Sequence, residues 1–169
     1  MEKIIYNPIG TIHTPFKDRE GMPIQPSGAK DVNGEVRIYE EFQDGLSDLE
    51  GFSHIILIYH FHQSSGFSLK VTPFMDTIPR GLFATRAPRR PNPIGISVVQ
   101  LESIDNGILR VKGADILDGT PLLDIKPFVS KFDAPSADRF GWLEENSRKA
   151  EFMRSDGRFS KGEPHQGSE

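Results

Sequence analysis

The residues best suited to bind an anion are three arginines, Arg86, Arg89 and Arg90, in a proline-rich stretch at residues 84–97. No acidic residue occurs between residues 77 and 101. Proline fixes its own φ and restricts the residue before it, so this loop is predicted to be stiff, with its guanidinium groups held in fixed directions. Guanidinium groups recognise phosphate and carboxylate through paired hydrogen bonds. The alternative is a rigid connection between strands whose arginines pair with surface acids.

Histidines form a second candidate site in the sequence His60-Phe-His62-Gln63. Side chains two residues apart on a strand share a face, which predicts that His54, His60 and His62 point the same way. Such a pair on a barrel strand is typical of metal ligation in cupins, where a carboxylate follows three or four residues later. Here Ser64-Ser-Gly-Phe67 follows instead. The alternative is one histidine packed in the core and another that lines a pocket.

Three carboxylates, Asp115, Asp118 and Asp124, surround the turn sequence Gly119-Thr-Pro121. An aspartate in a turn commonly accepts hydrogen bonds from its own backbone, and that structural role is one interpretation. The other interpretation places these carboxylates in a pocket. Both remain open from the sequence.

The residues and motifs that the chain lacks exclude several chemistries. Without cysteine there are no disulfides, cysteine-ligated zinc sites, iron–sulfur clusters or thiol nucleophiles. Dinucleotide-binding, P-loop, serine-hydrolase and zinc-protease fingerprints are also missing. A net charge of −4 argues against a strongly basic, non-specific nucleic-acid binder but is compatible with a local basic patch. No long apolar run or signal peptide is found, so we expect a cytoplasmic protein without a membrane span.

The elements that must position these residues are short strands. A chain of 169 residues is long enough for one domain with one core. Apolar runs cut by glycine and proline predict strands at Gly10–Thr14, Gly34–Tyr39, His54–Phe61, Gly81–Thr85, Ile96–Ile104, Ile108–Lys112 and Leu122–Ile125. The continuous run His54–Phe61 predicts a strand buried on both faces. Asp105-Asn-Gly107 predicts a tight hairpin, because Asn-Gly accepts positive φ at both central positions. We therefore predict a mainly β fold, a barrel or a sandwich.

The C-terminal part of the chain has a different composition. Ser136–Phe152 combines a few apolar residues with alternating charges, which predicts a short surface helix. Ser155–Glu169 consists mostly of glycine, serine and charged residues, which predicts a disordered tail. Residues 1–135 are thus expected to form the barrel domain, and residues 136–169 a C-terminal helix and flexible tail.

Six segments, taken together and in order, strongly resemble the TrmO family, also called TsaA-like. They are Gly10-Thr-Ile-His-Thr-Pro-Phe16, Phe52-Ser-His54, Phe61-His-Gln63, Gly81-Leu-Phe-Ala-Thr-Arg86, Arg90-Pro-Asn-Pro-Ile-Gly95 and Asp118-Gly-Thr-Pro-Leu-Leu-Asp-Ile-Lys-Pro-Phe128. The resemblance extends from about Ile9 to Phe128. One loop departs from it, because this chain has Ile24-Gln-Pro-Ser27 where family members usually have Arg-Gln-Pro-Gly.

The resemblance implies a small single-sheet β-barrel, unlike the Rossmann methyltransferases, that works as a homodimer without a metal. It implies methyl transfer from S-adenosylmethionine to N6 of threonylcarbamoyladenosine at position 37 of tRNA, next to the anticodon. The residues that it places in the cofactor pocket are Gln25, Pro26, Ser27, His62, Gln63, Arg86, Ala114, Asp115, Ile116, Leu117 and Asp118. The loop residues Arg89, Arg90 and Asn92 are then expected to face anticodon-loop phosphates or the carboxylate of the threonylcarbamoyl group.

The chemistry of such a transfer asks little of the protein beyond positioning. The methyl donor carries its own reactive sulfonium, so the protein must align the two reactants and exclude water. The N6 nitrogen also loses a proton, and His62 and Asp118 are candidate acceptors. Two other functions remain open. One is a metal-dependent barrel enzyme that uses His60 and His62, and the other is a non-catalytic RNA-binding or regulatory module of the same fold.

Overall fold

The computed structural model describes residues 3–18, 22, 29–74 and 76–144. Its strands are β1 Gly10–His13, β2 Asn33–Ile38, β3 His54–His60, β4 Lys70–Val71, β5 Arg80–Gly81, β6 Ile94–Asp105, β7 Ile108–Lys112 and β8 Thr120–Pro127. Six of them close an antiparallel barrel in the order β1-β2-β7-β6-β3-β8, and β4 pairs with β5 in a separate ribbon. The predicted mainly β fold is confirmed, and it is a barrel.

The barrel closes around one apolar core because its strands alternate in polarity. Along β6, the inward residues Gly95, Ser97, Val99 and Leu101 are buried while the residues between them are exposed. Inward side chains from every barrel strand and from the loop before β8 complete the core: Ile12, Val36, Ile38, Ile55, Leu57, Tyr59, Val99, Leu101, Leu109, Val111, Ala114, Ile116 and Leu122. Burial of this apolar surface is the main force that stabilises the fold.

The predicted hairpin joins β6 to β7. Asn106 and Gly107 have φ values of 47° and 75°, and Asp105 pairs with Ile108 across the turn. Positive φ at both central positions matches the twist of the flanking strands, as expected for Asn-Gly. This prediction is confirmed.

β3 is a strand as predicted, but it is buried on one face. Ile55, Leu57 and Tyr59 point into the core, whereas Ile56 and Ile58 are half-buried on the outer side. Double-sided burial requires a second layer, and no second layer covers this side of the barrel among the described residues. The prediction of burial on both faces was therefore wrong.

The strand expected at Gly81–Thr85 is also wrong. β5 ends at Gly81, and Leu82–Ala84 form a turn of 3-10 helix. Leu82 is buried, its amide donates to Leu69 O, and its own carbonyl accepts from both the amide and the hydroxyl of Thr85. One buried leucine that anchors a turn looks the same in sequence as one inward position of a strand.

Helical structure is sparse. Short 3-10 turns occur at Glu40–Leu46, Leu49–Gly51, Leu82–Ala84 and Gly141–Leu143, and α1 spans Ser130–Asp133. A helix was predicted at Ser136–Phe152, and the structure describes residues 136–144 of it, which contain the 3-10 turn at 141–143. The rest of that segment and the predicted tail lie outside the described residues. In the described ranges, no helix is long and apolar enough to cross a membrane.

Candidate functional site

One end of the barrel collects the segments that carry the predicted site residues. In the antiparallel pairing, β1, β3 and β7 finish at the end where β2, β6 and β8 begin. Residues 61–63 leave β3 there, residues 86–92 precede β6, and residues 113–119 connect β7 to β8. We call this the motif end of the barrel. Gln25, Pro26 and Ser27 lie outside the described residues.

A chain of buried hydrogen bonds crosses the motif end. Tyr59 Oη lies 3.1 Å from Ser97 Oγ, and Ser97 Oγ donates to Asp115 Oδ1 at 2.7 Å. Because the single Ser97 proton goes to the carboxylate, the Tyr59 hydroxyl must donate to Ser97. Tyr59 is 5% exposed and Ser97 3%. The chain therefore fixes the Asp115 carboxylate from the inside of the barrel.

The carboxylate at the end of this chain has unusual electrostatics. Burial raises the pKa of Asp115 above its usual range, against the opposing effects of the Ser97 hydrogen bond and the positive charge of Arg86. Burial likewise raises the pKa of Tyr59, and the Asp115 charge adds to that effect. Tyr59 therefore stays protonated and remains a donor. Asp115 can take up a proton more readily than an exposed aspartate.

Asp118, three residues further on, faces a different environment. It accepts from Lys17 Nζ at 2.6 Å and from the Thr14 amide at 3.1 Å, and it lies 3.3 Å from His13 Nδ1. The Lys17 hydrogen bond is the main cause of a lowered Asp118 pKa. These three residues and Asp118 also line an open groove of about 500 Å³. Asp118 therefore stays ionised at lower pH than an ordinary aspartate, and its hydrogen bonds connect the loop before β8 to the end of β1 and the residues that follow it.

The backbone of residues 113–119 is held from both sides. Thr14 Oγ1 donates to Ile116 O at 2.6 Å, and Thr120 Oγ1 donates to Leu117 O at 2.6 Å. Ala114 and Ile116 are buried in the core, so the residues between and after them, Asp115 and Leu117, stand at its edge. The loop is thus a rigid support for its two carboxylates.

His62 lies beside this loop, and β3 has ended before it. The strand finishes at His60, and His62 lies in a turn in which the Ser64 amide donates to Phe61 O. The prediction that His60 and His62 share a strand face was therefore wrong. His62 Nδ1 is 3.4 Å from Thr120 Oγ1, and it is the donor because the Thr120 proton goes to Leu117 O. In the part of the chain that the structure describes, no three His, Asp or Glu side chains form a metal-ligand group.

The arginine loop is braced by its own side chains. Arg90 Nη1 donates to Thr85 O at 3.0 Å, and its guanidinium lies 5.8 Å from the centre of the Phe83 ring. Arg89 Nε donates to Ser65 O at 3.1 Å. Phe83 itself is 75% exposed, and Arg86 is exposed as well. The loop therefore presents guanidinium groups and an aromatic face together on the surface.

The C-terminal segment adds a contact to the same loop. Trp142 Nε1 donates to Ala84 O at 2.8 Å, and Arg80 lies 5.9 Å from the centre of the Trp142 ring. Arg80 in turn pairs with Asp76 at 2.8 Å. This contact joins residues 141–143 to the turn that precedes Arg86.

Sequence reasoning missed Tyr59 and Ser97 as site residues. The sequence did contain a signal for Ser97, because this residue belongs to the proline-rich motif. The alternation of a strand also places Ser97 on the same inward face as Gly95, another residue of that motif. What the sequence does not show is that Gly95 faces Tyr59 across the β3–β6 pair.

Known proteins resemble this chain over most of its length. The family model of the tRNA-methyltransferase O N-terminal domain matches residues 11–134. A probable S-adenosyl-L-methionine-binding protein of Pyrococcus abyssi is 58% identical over 156 residues, which cover 92% of this chain and 85% of that protein. A crystal structure of TrmO from Pseudomonas aeruginosa superposes with a TM-score of 0.70 and 39% identity, over 83% of this chain and 63% of that one.

Longer relatives match through one part of their length. The tRNA (adenine(37)-N6)-methyltransferase of Escherichia coli is 37% identical over 139 residues, which cover 76% of this chain and 59% of that enzyme. The human protein of the same name is 33% identical, with 78% of this chain and 32% of the human protein covered. By its motifs, its barrel and these matches, the chain belongs to the TrmO family and carries that family's N-terminal domain.

Proposed function

We propose that this protein is an S-adenosylmethionine-dependent tRNA methyltransferase that acts on N6 of threonylcarbamoyladenosine at position 37. Similarity to proteins named as adenine-37 N6-methyltransferases and as S-adenosyl-L-methionine-binding proteins supports the reaction class. The observation that carries the proposal is that the half-buried Asp115 carboxylate and the arginine loop lie together at the motif end of the barrel. A tRNA substrate also agrees with the cytoplasmic location expected from the sequence.

The residues at the motif end fit the chemical groups of S-adenosylmethionine. Its hydroxyl and amino groups require acceptors, which Asp115, Asp118 and the carbonyls of residues 113–119 offer. Its carboxylate requires donors, which Arg86 and backbone amides offer. When bound, the sulfonium supplies an activated methyl group. The binding set that we propose is Gln25, Pro26, Ser27, His62, Gln63, Arg86, Ala114, Asp115, Ile116, Leu117 and Asp118.

The arginine loop is the proposed RNA-binding surface. Arg89, Arg90 and Asn92 are exposed or half-buried beside the motif end, where they can contact anticodon-loop phosphates or the threonylcarbamoyl carboxylate. The exposed Phe83 ring beside Arg90 offers a face on which an unstacked base can rest. Held in place by proline and by bonds to Thr85 O and Ser65 O, this surface brings the acceptor base to the motif end at little entropic cost.

A second copy of this chain is the proposed partner of the outer face of β3 and β6. Ile94, Ile96 and Val98 are 41%, 57% and 36% exposed there, and Ile56 and Ile58 lie opposite Val98 and Ile96 in register. Five aliphatic side chains on one sheet face form an apolar patch that a two-fold interface buries against itself. Since β6 begins directly after the arginine loop, the resulting homodimer sets each cofactor site close to the subunit boundary.

The proposal is tested by following methyl transfer in vitro. Purified protein is incubated with labelled S-adenosylmethionine and tRNA that carries threonylcarbamoyladenosine, and the tRNA is digested to nucleosides. Incorporation into that nucleoside supports the assignment. Binding of S-adenosylmethionine in a calorimeter without transfer indicates the non-catalytic module instead, and near-stoichiometric zinc or iron in protein purified without added ions indicates the metal enzyme.

A further inference from the structure

We propose that Asp115 accepts the proton released from the adenine N6 nitrogen during methyl transfer, and that Ser97 and Tyr59 hold its carboxylate in position for this task. The inference rests on the function proposed above and deepens it by naming the proton acceptor. Asp115 would be a catalytic residue, since it touches the reacting N–H group. Ser97 and Tyr59 act through Asp115 and are positioning residues.

The geometry favours Asp115 because its carboxylate is fixed but not saturated. Ser97 supplies one hydrogen bond to Oδ1, at 2.7 Å, and no other side chain in the described ranges donates to this carboxylate. Asp115 is half-buried at the edge of the core, while Tyr59 and Ser97 behind it are buried. One side of the carboxylate is therefore held by the barrel, and the other is available to a substrate at the motif end.

The step balances without a further reactant. The N6–H bond breaks and its proton passes to Asp115, while the N6–CH₃ bond forms. The S–CH₃ bond of the methyl donor breaks at the same time, and its electron pair stays on sulfur. A base is useful here because the lone pair of N6 is delocalised into the ring and the carbonyl group, which makes the nitrogen a weak nucleophile until the proton leaves.

Asp118 is less suited to this role, although it lies on the same loop. Lys17, Thr14 and His13 already surround its carboxylate, and its lowered pKa makes it a weak proton acceptor. Burial moves the pKa of Asp115 in the opposite direction, which makes its carboxylate the stronger proton acceptor of the two. Of the titratable groups around Asp115, Arg86 from the loop before β6 lowers its pKa through its positive charge, whereas Tyr59 from β3 is neutral and has its own pKa raised by the Asp115 charge.

The alternative is that the three residues form a polar network that only stabilises the barrel. Asp115→Asn separates the two possibilities, because the Asn oxygen can still accept from Ser97 but the side chain cannot take a proton. A structural role predicts that this variant keeps its activity. A proton acceptor predicts that single-turnover transfer, measured at saturating S-adenosylmethionine so that weaker cofactor binding does not contribute, falls by about 10²- to 10⁴-fold. The matched control is Asp105→Asn, which replaces an exposed carboxylate in the hairpin at the other end of the barrel. This variant should be fully active.

Ser97→Ala gives a second readout that a structural role would not move. The Ser97 hydrogen bond lowers the pKa of Asp115, so its loss raises that pKa further and shifts the acidic limb of the pH–rate profile to higher pH. Activity should then recover as the pH increases. An unshifted profile overturns the positioning role of Ser97, and an Asp115→Asn protein as active as wild type overturns the assignment of Asp115.

A stability measurement tests the buried charge without any turnover. Because the folded-state pKa of Asp115 is raised, wild-type stability falls as the pH increases from the unfolded-state pKa through the folded-state pKa. Asp115→Asn lacks this loss, so it should melt at a higher temperature than wild type at pH 8 and should lose that advantage in acid. Equal pH profiles contradict a buried, proton-accepting carboxylate. If wild-type protein transfers no methyl group although this stability difference is present, the proposed function is wrong, whereas the description of Asp115 as a buried carboxylate with a raised pKa is supported.

Discussion

The ring of Tyr59 lies directly over Gly95, its register partner on the neighbouring strand of the barrel. A Cβ at position 95 would overlap the ring, so only glycine lets the tyrosine lie flat and extend diagonally to Ser97. The Phe61 ring packs against the Tyr59 ring in a T-shaped contact with a centroid distance of 5.5 Å, which helps to hold Tyr59 there. A small residue in a strand thus directs a hydroxyl group toward the carboxylate of the site.

Gly95→Ala is expected to displace the Tyr59 ring and break its bond to Ser97. Overpacking of this kind costs about 1–3 kcal/mol in the free energy of unfolding, measured by chemical denaturation. Gly45→Ala is the control, because no atom lies within 4 Å of the Cβ that it adds, and its effect should stay within about 0.5 kcal/mol. Equal effects of the two substitutions would contradict the packing described for Tyr59.

Asp118→Asn should destabilise the protein at neutral pH and cease to do so in acid. The pKa of Asp118 is lowered in the folded state, so its charge stabilises the fold above the unfolded-state pKa, and this contribution is lost as the pH falls through the folded-state pKa. The Lys17 partner is exposed, so the expected difference at pH 7 is below about 1 kcal/mol. Thermal melts of both proteins from pH 7 down to about pH 2 check this, and a difference that grows in acid would contradict it.

We expect the arginines of the loop to have two different functions, with Arg89 and Arg90 in tRNA binding and Arg86 in methyl transfer. Arg89→Ala and Arg90→Ala are expected to weaken tRNA binding and to reduce the log–log salt slope by about 0.7–0.9 for each lost phosphate contact, with cofactor affinity nearly unchanged. Arg86→Ala should abolish methylation with little change in that slope. Filter-binding titrations over a range of salt concentrations measure both quantities.

The control for these variants is Arg37→Ala, which removes an exposed arginine on β2 near the hairpin end of the barrel. It should leave the salt slope unchanged. If the Arg89 and Arg90 variants bind tRNA with the affinity and slope of wild type, these residues only brace the loop through Ser65 O and Thr85 O. Melting temperatures measured in parallel show whether the loss of that bracing has unfolded the loop.

The apolar patch on β3 and β6 predicts the assembly state. Light scattering at micromolar concentration should give twice the chain mass of 18.9 kDa for wild type. Ile96→Glu places a charge on the most exposed side chain of the patch and should produce monomers with an intact fold. A wild-type monomer, or an Ile96→Glu protein that remains dimeric through another face, would show that this surface is not the interface.

Local sequence signals predicted those parts of the fold that neighbouring residues control. Asn106-Gly107 determines its own hairpin, and the strand-like apolar runs that flank it predicted β6 and β7 to within two residues. The strand expected at Gly81–Thr85 was wrong because a long-range contact, the amide of Leu82 with Leu69 O, stabilises a turn that no local pattern shows.

The site was predictable only in outline, for the same reason. The motif residues indicated which loops matter, the turn sequence at residues 119–121 drew attention to the carboxylates around it, and the resemblance implied a cofactor-binding role for Asp115 and Asp118. The difference between Asp115 and Asp118 could not be predicted, because it depends on partners far away in sequence: Ser97 and a buried environment in one case, Lys17 and Thr14 in the other. Three residues of separation on one loop are enough to move the two pKa values in opposite directions.

The proposed function is tested by mass spectrometry of nucleosides from tRNA that carries threonylcarbamoyladenosine, after incubation with the purified protein and S-adenosylmethionine. We predict that this nucleoside is converted to a product one methyl group heavier, with the added methyl on N6, and that unmodified adenosine in the same tRNA is left unchanged. Protein that binds the methyl donor but leaves the threonylcarbamoyladenosine unmethylated would contradict the proposed function.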